Sequence, residues 1–176
     1  MGKKWEFVPG DEITIAPGRT VKRIRALVDI SYFVAAGSIG GYVESEKSVS
    51  QEGNAWVSGD ARVYGNAWVY GNAHVSGNAH VYGNAQVSGN AEVSGNARVS
   101  GNGLVFWASH VGSENGTLTV YNTKGNGIEV TRGCFKGTID KFLAASEKKH
   151  DDATHLEYRL LIEVAYSRIT RAMETK

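Results

Sequence analysis

The chain has 176 residues, of which 41% are hydrophobic and 21% charged, with a formal net charge of +1. That composition suits one folded domain, or one elongated domain with small ends, and it lacks the basic excess of a general nucleic-acid binder. One cysteine, Cys134, excludes an intrachain disulfide, and 22 glycines against 2 prolines point to regular tight corners rather than disorder.

Met1 to Glu6 lacks the apolar run of a signal peptide, and no stretch approaches the roughly 20 apolar residues of a membrane span. The expectation is a cytoplasmic protein with no membrane partner. Residues 1–53 read as an N-terminal β cap. Thr20 to Ile30 alternates as a strand does, and Lys22-Arg23-Ile24-Arg25 reads as its solvated face. Gly37 to Val43 is a turn leading inward. Val43 and Val49 lie six positions apart, so a partial turn with a period of six precedes Asn54.

From Asn54 the sequence runs NAWVSG, DARVYG, NAWVYG, NAHVSG, NAHVYG, NAQVSG, NAEVSG, NARVSG, then a degenerate ninth unit, Asn102 to Trp107. Internal repeats outrank other signals because they fix the architecture. A period of six excludes an amphipathic helix and fits a short strand plus a corner. Val is the inward β-branched residue, and Ala, four positions later, faces the narrow corner. Gly-Asn and Gly-Asp make the corner itself. Three units close one triangular turn of 18 residues, and turns stack at about 4.8 Å.

The expected turns are 54–71, 72–89 and 90–107. One face aligns Val57, Val75 and Val93, with Trp56, His74 and Glu92 outside. A second aligns Val63, Val81 and Val99, with Arg62, His80 and Arg98. The third aligns Val69, Val87 and Val105, with Trp68, Gln86 and Leu104. Tyr64 and Tyr82 join the second face; Tyr70 and Phe106 join the third. The coil is assigned residues 54–111, a β-rich connection 112–137 and a helical segment 138–176. Within these, Thr117 to Tyr121 and Ile128 to Thr131 read as strands. Thr138 caps a helix of Ile139 to Lys148. After a break at His150-Asp151-Asp152, Leu156, Leu160, Leu161, Val164 and Ile169 mark the apolar face of a second helix over 153–172.

The repeats resemble the left-handed parallel β-helix of hexapeptide-repeat proteins, carried by Val57 with Ala61, Val63 with Ala67 and Val69 with Ala73. In that family Gly often follows the aliphatic residue directly; here Ser or Tyr does, and Gly comes one later. The resemblance implies a mainly β fold, a single-stranded left-handed parallel β-helix with an N-terminal β cap and C-terminal α-helices. The ends, Ala36 to Glu44 and Arg132 to Phe142, are similar to bacteriophage and prophage proteins with NAxVSG repeats, which implies a phage origin and a host-cell cytoplasmic location. It implies no particular activity.

Many proteins that resemble the coil are acyltransferases using coenzyme A or acyl carrier protein, so His74, His80 or His110 is a candidate general base. These histidines alternate with Trp, Arg, Gln and Glu at one repeat position, which favours plain outward residues, and no loop is extruded from the coil. Carbonic anhydrases of this fold hold zinc on three histidines. Here His74 and His80 fall on different faces, and His74 and His110 are expected on one face about 9.6 Å apart, too far for one ion with ligands near about 2.1 Å. No cofactor and no metal are therefore expected. Arg62, Tyr64, His80, Tyr82 and Arg98 form the candidate binding face; nucleic acid is not the expected partner, but a host protein or a small anionic ligand is. Trp56, Trp68, Tyr70 and Phe106 at non-core positions form a candidate oligomer interface. The family resemblance implies three-fold trimers. The leading expectation is a non-enzymatic trimeric phage accessory protein acting by binding, in the manner of a counter-defence factor. The alternatives are an acyltransferase and a structural virion or tail component.

Overall fold

In the computed structural model, which describes residues 2–175, the repeats build a three-faced β-solenoid. Eight two-residue strands form it: β4 Trp56–Val57, β5 Arg62–Val63, β6 Trp68–Val69, β7 His74–Val75, β8 His80–Val81, β9 Gln86–Val87, β10 Glu92–Val93 and β11 Arg98–Val99. They stack in parallel as β4-β7-β10, β5-β8-β11 and β6-β9, so each residue lies over the one 18 positions earlier. Every repeat Val is fully buried and every repeat Ala is at most 3% exposed. The coil interior is thus a column of small β-branched and methyl side chains, which only a tight turn can fill without voids.

Main-chain bonds join the turns on all faces: Trp56 N–H to Ala73 O (3.0 Å), Asp60 N–H to Gly77 O (3.0 Å), Tyr70 N–H to Val87 O (3.0 Å). The corner glycines, Gly59 to Gly95, hold φ between +63° and +73°, a left-handed region that a side chain would strain.

The coil begins earlier than the first full unit, as the Val43 and Val49 spacing predicts. Strand β3 (Ile39–Val43) pairs in parallel with β5, placing Tyr42 against Arg62, and Val49 bridges Val69. Two extra residues sit in this first layer: Ser50 N–H reaches Val69 O, whereas Asn54 N–H reaches Gly71 O. Gln51, in that insertion, accepts from Lys4 N–H (2.8 Å) and Trp5 N–H (3.2 Å). The insertion thereby docks the antiparallel hairpin β1 (Trp5–Ala16) and β2 (Arg19–Ala26), which extends one coil face into a six-stranded sheet, β1-β2-β3-β5-β8-β11.

The upper end departs from the expected ninth unit. The chain turns away at 102–104, and Val105 pairs with Tyr121 instead of stacking over Val87. Four antiparallel strands follow, β12 (Val105–Val111), β13 (Gly116–Asn122), β14 (Ile128–Arg132) and β15 (Phe135–Thr138). Their side chains satisfy the last coil turn. Thr119 Oγ1 accepts from Glu92 N–H (3.0 Å), Thr131 Oγ1 donates to Glu92 O (2.8 Å), and Asn122 Nδ2 donates to Arg98 O (3.1 Å). An open strand edge is covered in this way.

Thr138 caps helix α1 (Ile139–Lys149) by accepting from Lys141 N–H, and Asp151 caps α2 (Asp152–Glu174) by accepting from Thr154 N–H. The buried face of α2 is Tyr158, Ile162, Ala165 and Ile169. Of the face expected from the sequence only Ile169 is buried; Leu156, Leu160 and Val164 are 44%, 52% and 50% exposed. Both sides of α2 are apolar, and the docked side is the one with Ala165 for close approach and a polar tip on Tyr158 for Arg132. Among the described residues, no helix is long and apolar enough to cross a membrane.

Candidate binding face on the coil

Parallel stacking turns the repeat's variable position into ladders. On the six-stranded sheet the residues before each Val run Tyr42, Arg62, His80, Arg98. Beside them run Glu44, Tyr64, Tyr82 and Ser100. Tyr64 and Tyr82 stack with centroids 5.1 Å apart, and the Tyr64 ring meets His80 edge-on at 6.0 Å. All five residues expected to form the binding face therefore share one surface, each of them partly buried.

Arg62 and Arg98 form no ion pair on that surface among the described residues. Arg98 Nη1 donates only to main-chain carbonyls, Asn78 O and Ala97 O, and Arg62 Nε is enclosed without an acceptor. Among the described residues neither arginine has a carboxylate partner. Burial first, and then the flanking Arg98 and Arg62, push His80 down to about 4, so the imidazole is neutral at neutral pH. Burial and the neighbouring Tyr82 raise Tyr64.

The N-terminal hairpin contributes residues that the repeat pattern gives no signal for. Arg19 lies over the Tyr64 ring at 5.5 Å and pairs with Glu44 at 3.3 Å. Arg23 sits on Tyr42 at 4.0 Å and pairs with Asp11 at 3.2 Å. Its side chain is 19% exposed, so it belongs to a packed cation–aromatic contact and not to a freely solvated strand face. Only the long-range pairing of β2 with β3 brings these groups here.

The expected interface residues separate. Trp68 is 42% exposed and stacks on Tyr70, itself half-buried, at 4.0 Å. Trp56 is 2% exposed, because the N-terminal cap folds over it and its ring lies against Gly40. It offers no surface to a partner. Phe106 pairs across from Val120 in the terminal sheet and does not continue the Tyr70 column; with Tyr70, Trp107 and Arg168 it lines a crevice of about 330 Å³.

The histidines do not converge. His74 packs on the first face with Ser58 Oγ 3.1 Å from Nε2, and burial lowers its pKa. His80 lies on another sheet, and His110, expected near His74, sits exposed at the end of β12 with φ +60°. Among the described residues, no three of His, Cys, Asp and Glu come together as metal ligands.

Comparison with known families agrees with the coil. The YdcK beta solenoid repeat family matches residues 55–71 and 85–101. Both stretches lie wholly within the stacked turns, so the likeness is to a β-solenoid repeat and does not reach the caps. No curated protein matches the chain.

Proposed function

We propose that the protein is a non-enzymatic binding module whose Arg62–His80–Arg98 face takes a small nucleotide-type anion. The observation that carries this reading is two arginines that, among the described residues, have no carboxylate partner, one rung either side of a neutral imidazole, next to a stacked tyrosine pair. Two rungs put the arginines about 9.6 Å apart, which suits a ligand with more than one anionic group. Flat tyrosine rings suit a base. A histidine held near 4 is a weak general base at neutral pH, which favours binding over acyl transfer.

We place the module in a homotrimer of phage or prophage origin. The partly exposed Trp68–Tyr70 stack supports the oligomer, and the likeness of the two ends to phage proteins supports the origin. Calorimetry with ATP, AMP and adenosine tests the ligand. ATP is expected to bind and adenosine not, with each of Arg62→Ala and Arg98→Ala weakening ATP about tenfold, as loss of one charge-assisted contact does. No heat with any nucleotide would remove the proposal. Light scattering that gives a monomer mass would remove the trimer.

One observation favours an assembly role. Tyr32 and Phe33 stand fully exposed at the tip of an ordered turn closed by Val34 N–H to Ser31 O. Finding the chain in purified virions would support that reading over ligand binding.

A further inference from the structure

We infer that the crevice where the β14–β15 turn meets the end of α1 and the start of α2 is a second ligand site, for a small aromatic carboxylate or phosphate monoester. Its volume is about 370 Å³, within the range of small-molecule sites. The floor is a chain of edge-to-face rings, Phe135 to Phe142 at 5.2 Å and Phe142 to Tyr158 at 5.2 Å. Such a floor takes a flat apolar body.

Cations stand around that floor. Arg132 Nε donates to Tyr158 Oη (3.0 Å) and Nη2 to Val111 O (3.2 Å). Neutral acceptors therefore fix the guanidinium without cancelling its charge. Lys149 is exposed at the rim and, among the described residues, has no ion pair. His150 is oriented by Ser113 Oγ, 3.3 Å from Nδ1, with its ring 5.6 Å from Tyr158. Among the described residues, Glu114 is the one carboxylate on the lining. Two fixed or mobile full cations against one acid, over an aromatic floor, select an anion with an apolar ring. Bonding between Arg132 and Tyr158 would by itself only staple β14 to α2; what it leaves open beside Lys149 is the space a ligand fills.

Cys134, the chain's sole cysteine, is exposed and lines the mouth, which supplies the readout. The rate of Cys134 alkylation by iodoacetamide is measured with phenyl phosphate, benzoate, inorganic phosphate or benzyl alcohol at constant ionic strength. Phenyl phosphate or benzoate is expected to slow alkylation saturably, by about tenfold at about ten times Kd, and their ranking tells phosphate from carboxylate. Lys149→Ala, at an exposed position, is expected to weaken that protection several-fold while Arg98→Ala leaves it unchanged, separating this site from the coil face. Equal protection by benzyl alcohol or by inorganic phosphate, or no saturable protection, overturns the inference.

Discussion

The Tyr64 and Tyr82 rings lie 11° from parallel at 5.1 Å, one rung apart on the same face of the coil. Stacked rings on adjacent strands contribute about 0.5–1.5 kcal/mol beyond their buried area. Tyr82→Ala is expected to lower unfolding free energy by that amount plus a small burial loss. Tyr82→Phe, which keeps the ring, is expected to lower it far less. Urea denaturation of the three proteins checks this; equal losses for Ala and Phe would show that the hydroxyl and not the stack matters.

His80 gives the pH dependence a sign. Its folded pKa is about 4, below the usual value near 6.5. Between these values the unfolded chain binds the extra proton, so stability rises with pH across that window. The contribution is complete above about pH 6.5 and lost as pH falls towards 4. His80→Gln is expected to flatten the profile of unfolding midpoint against pH over that interval. An anion seated between Arg62 and Arg98 would offset their repulsion of the imidazolium and shift the window upward, which an NMR titration of the His80 ring reads directly.

Much of the coil is legible in the sequence, for a physical reason. From Asn54 to Val99 each strand contact joins residues 18 apart in near-identical units, so one period determines that part of the stack, including the shared face of Arg62, His80 and Arg98. The caps obey no period. Nothing local announces that Val105 pairs with Tyr121 or that β2 brings Arg19 onto Tyr64. Trp56 departs from expectation because its repeat position is outward, and only the fold of the N-terminal cap over Gly40 buries it. The second helix departs because hydrophobicity marks two faces and packing picks one; Ala165 and Ile169 fit closely where Leu156 and Leu160 are left in solvent.

Lys4 is a second anchor for the N-terminal hairpin. Only 6% exposed, its ammonium donates to Ala55 O (2.9 Å), Gly53 O (3.1 Å) and Glu52 O (3.4 Å), and burial lowers its pKa to about 8. Lys4→Met keeps the apolar stem but strips three carbonyls of their donor. A buried acceptor left without a partner costs about 1–3 kcal/mol. The expected result is a loss of that order, with faster amide exchange concentrated in β1 and β2 and little change in the coil. Uniformly faster exchange would show that Lys4 supports the whole fold and not the hairpin.

Gly40 and Gly10 separate crowding from backbone conformation. A Cβ on Gly40 would lie 2.6 Å from Ile24 Cγ1, 2.7 Å from Trp56 Cζ2 and 2.7 Å from the Val57 carbonyl oxygen. The carbonyl belongs to the coil and cannot retreat, so Gly40→Ala forces the cap off the first turn. Overpacking of this kind costs about 1–3 kcal/mol. Gly10, by contrast, has open space around it but a φ of +78°, so Gly10→Ala carries a backbone penalty of about 1–2 kcal/mol. The two losses are close in size, and fluorescence tells them apart. Gly40→Ala is expected to shift the emission of the buried Trp56 to the red as its cover lifts, whereas Gly10→Ala leaves it in place. A red shift of the same size in both would mean that the hairpin and the cap over Trp56 move as one unit, and that the contact at Gly40 is not what seals the coil.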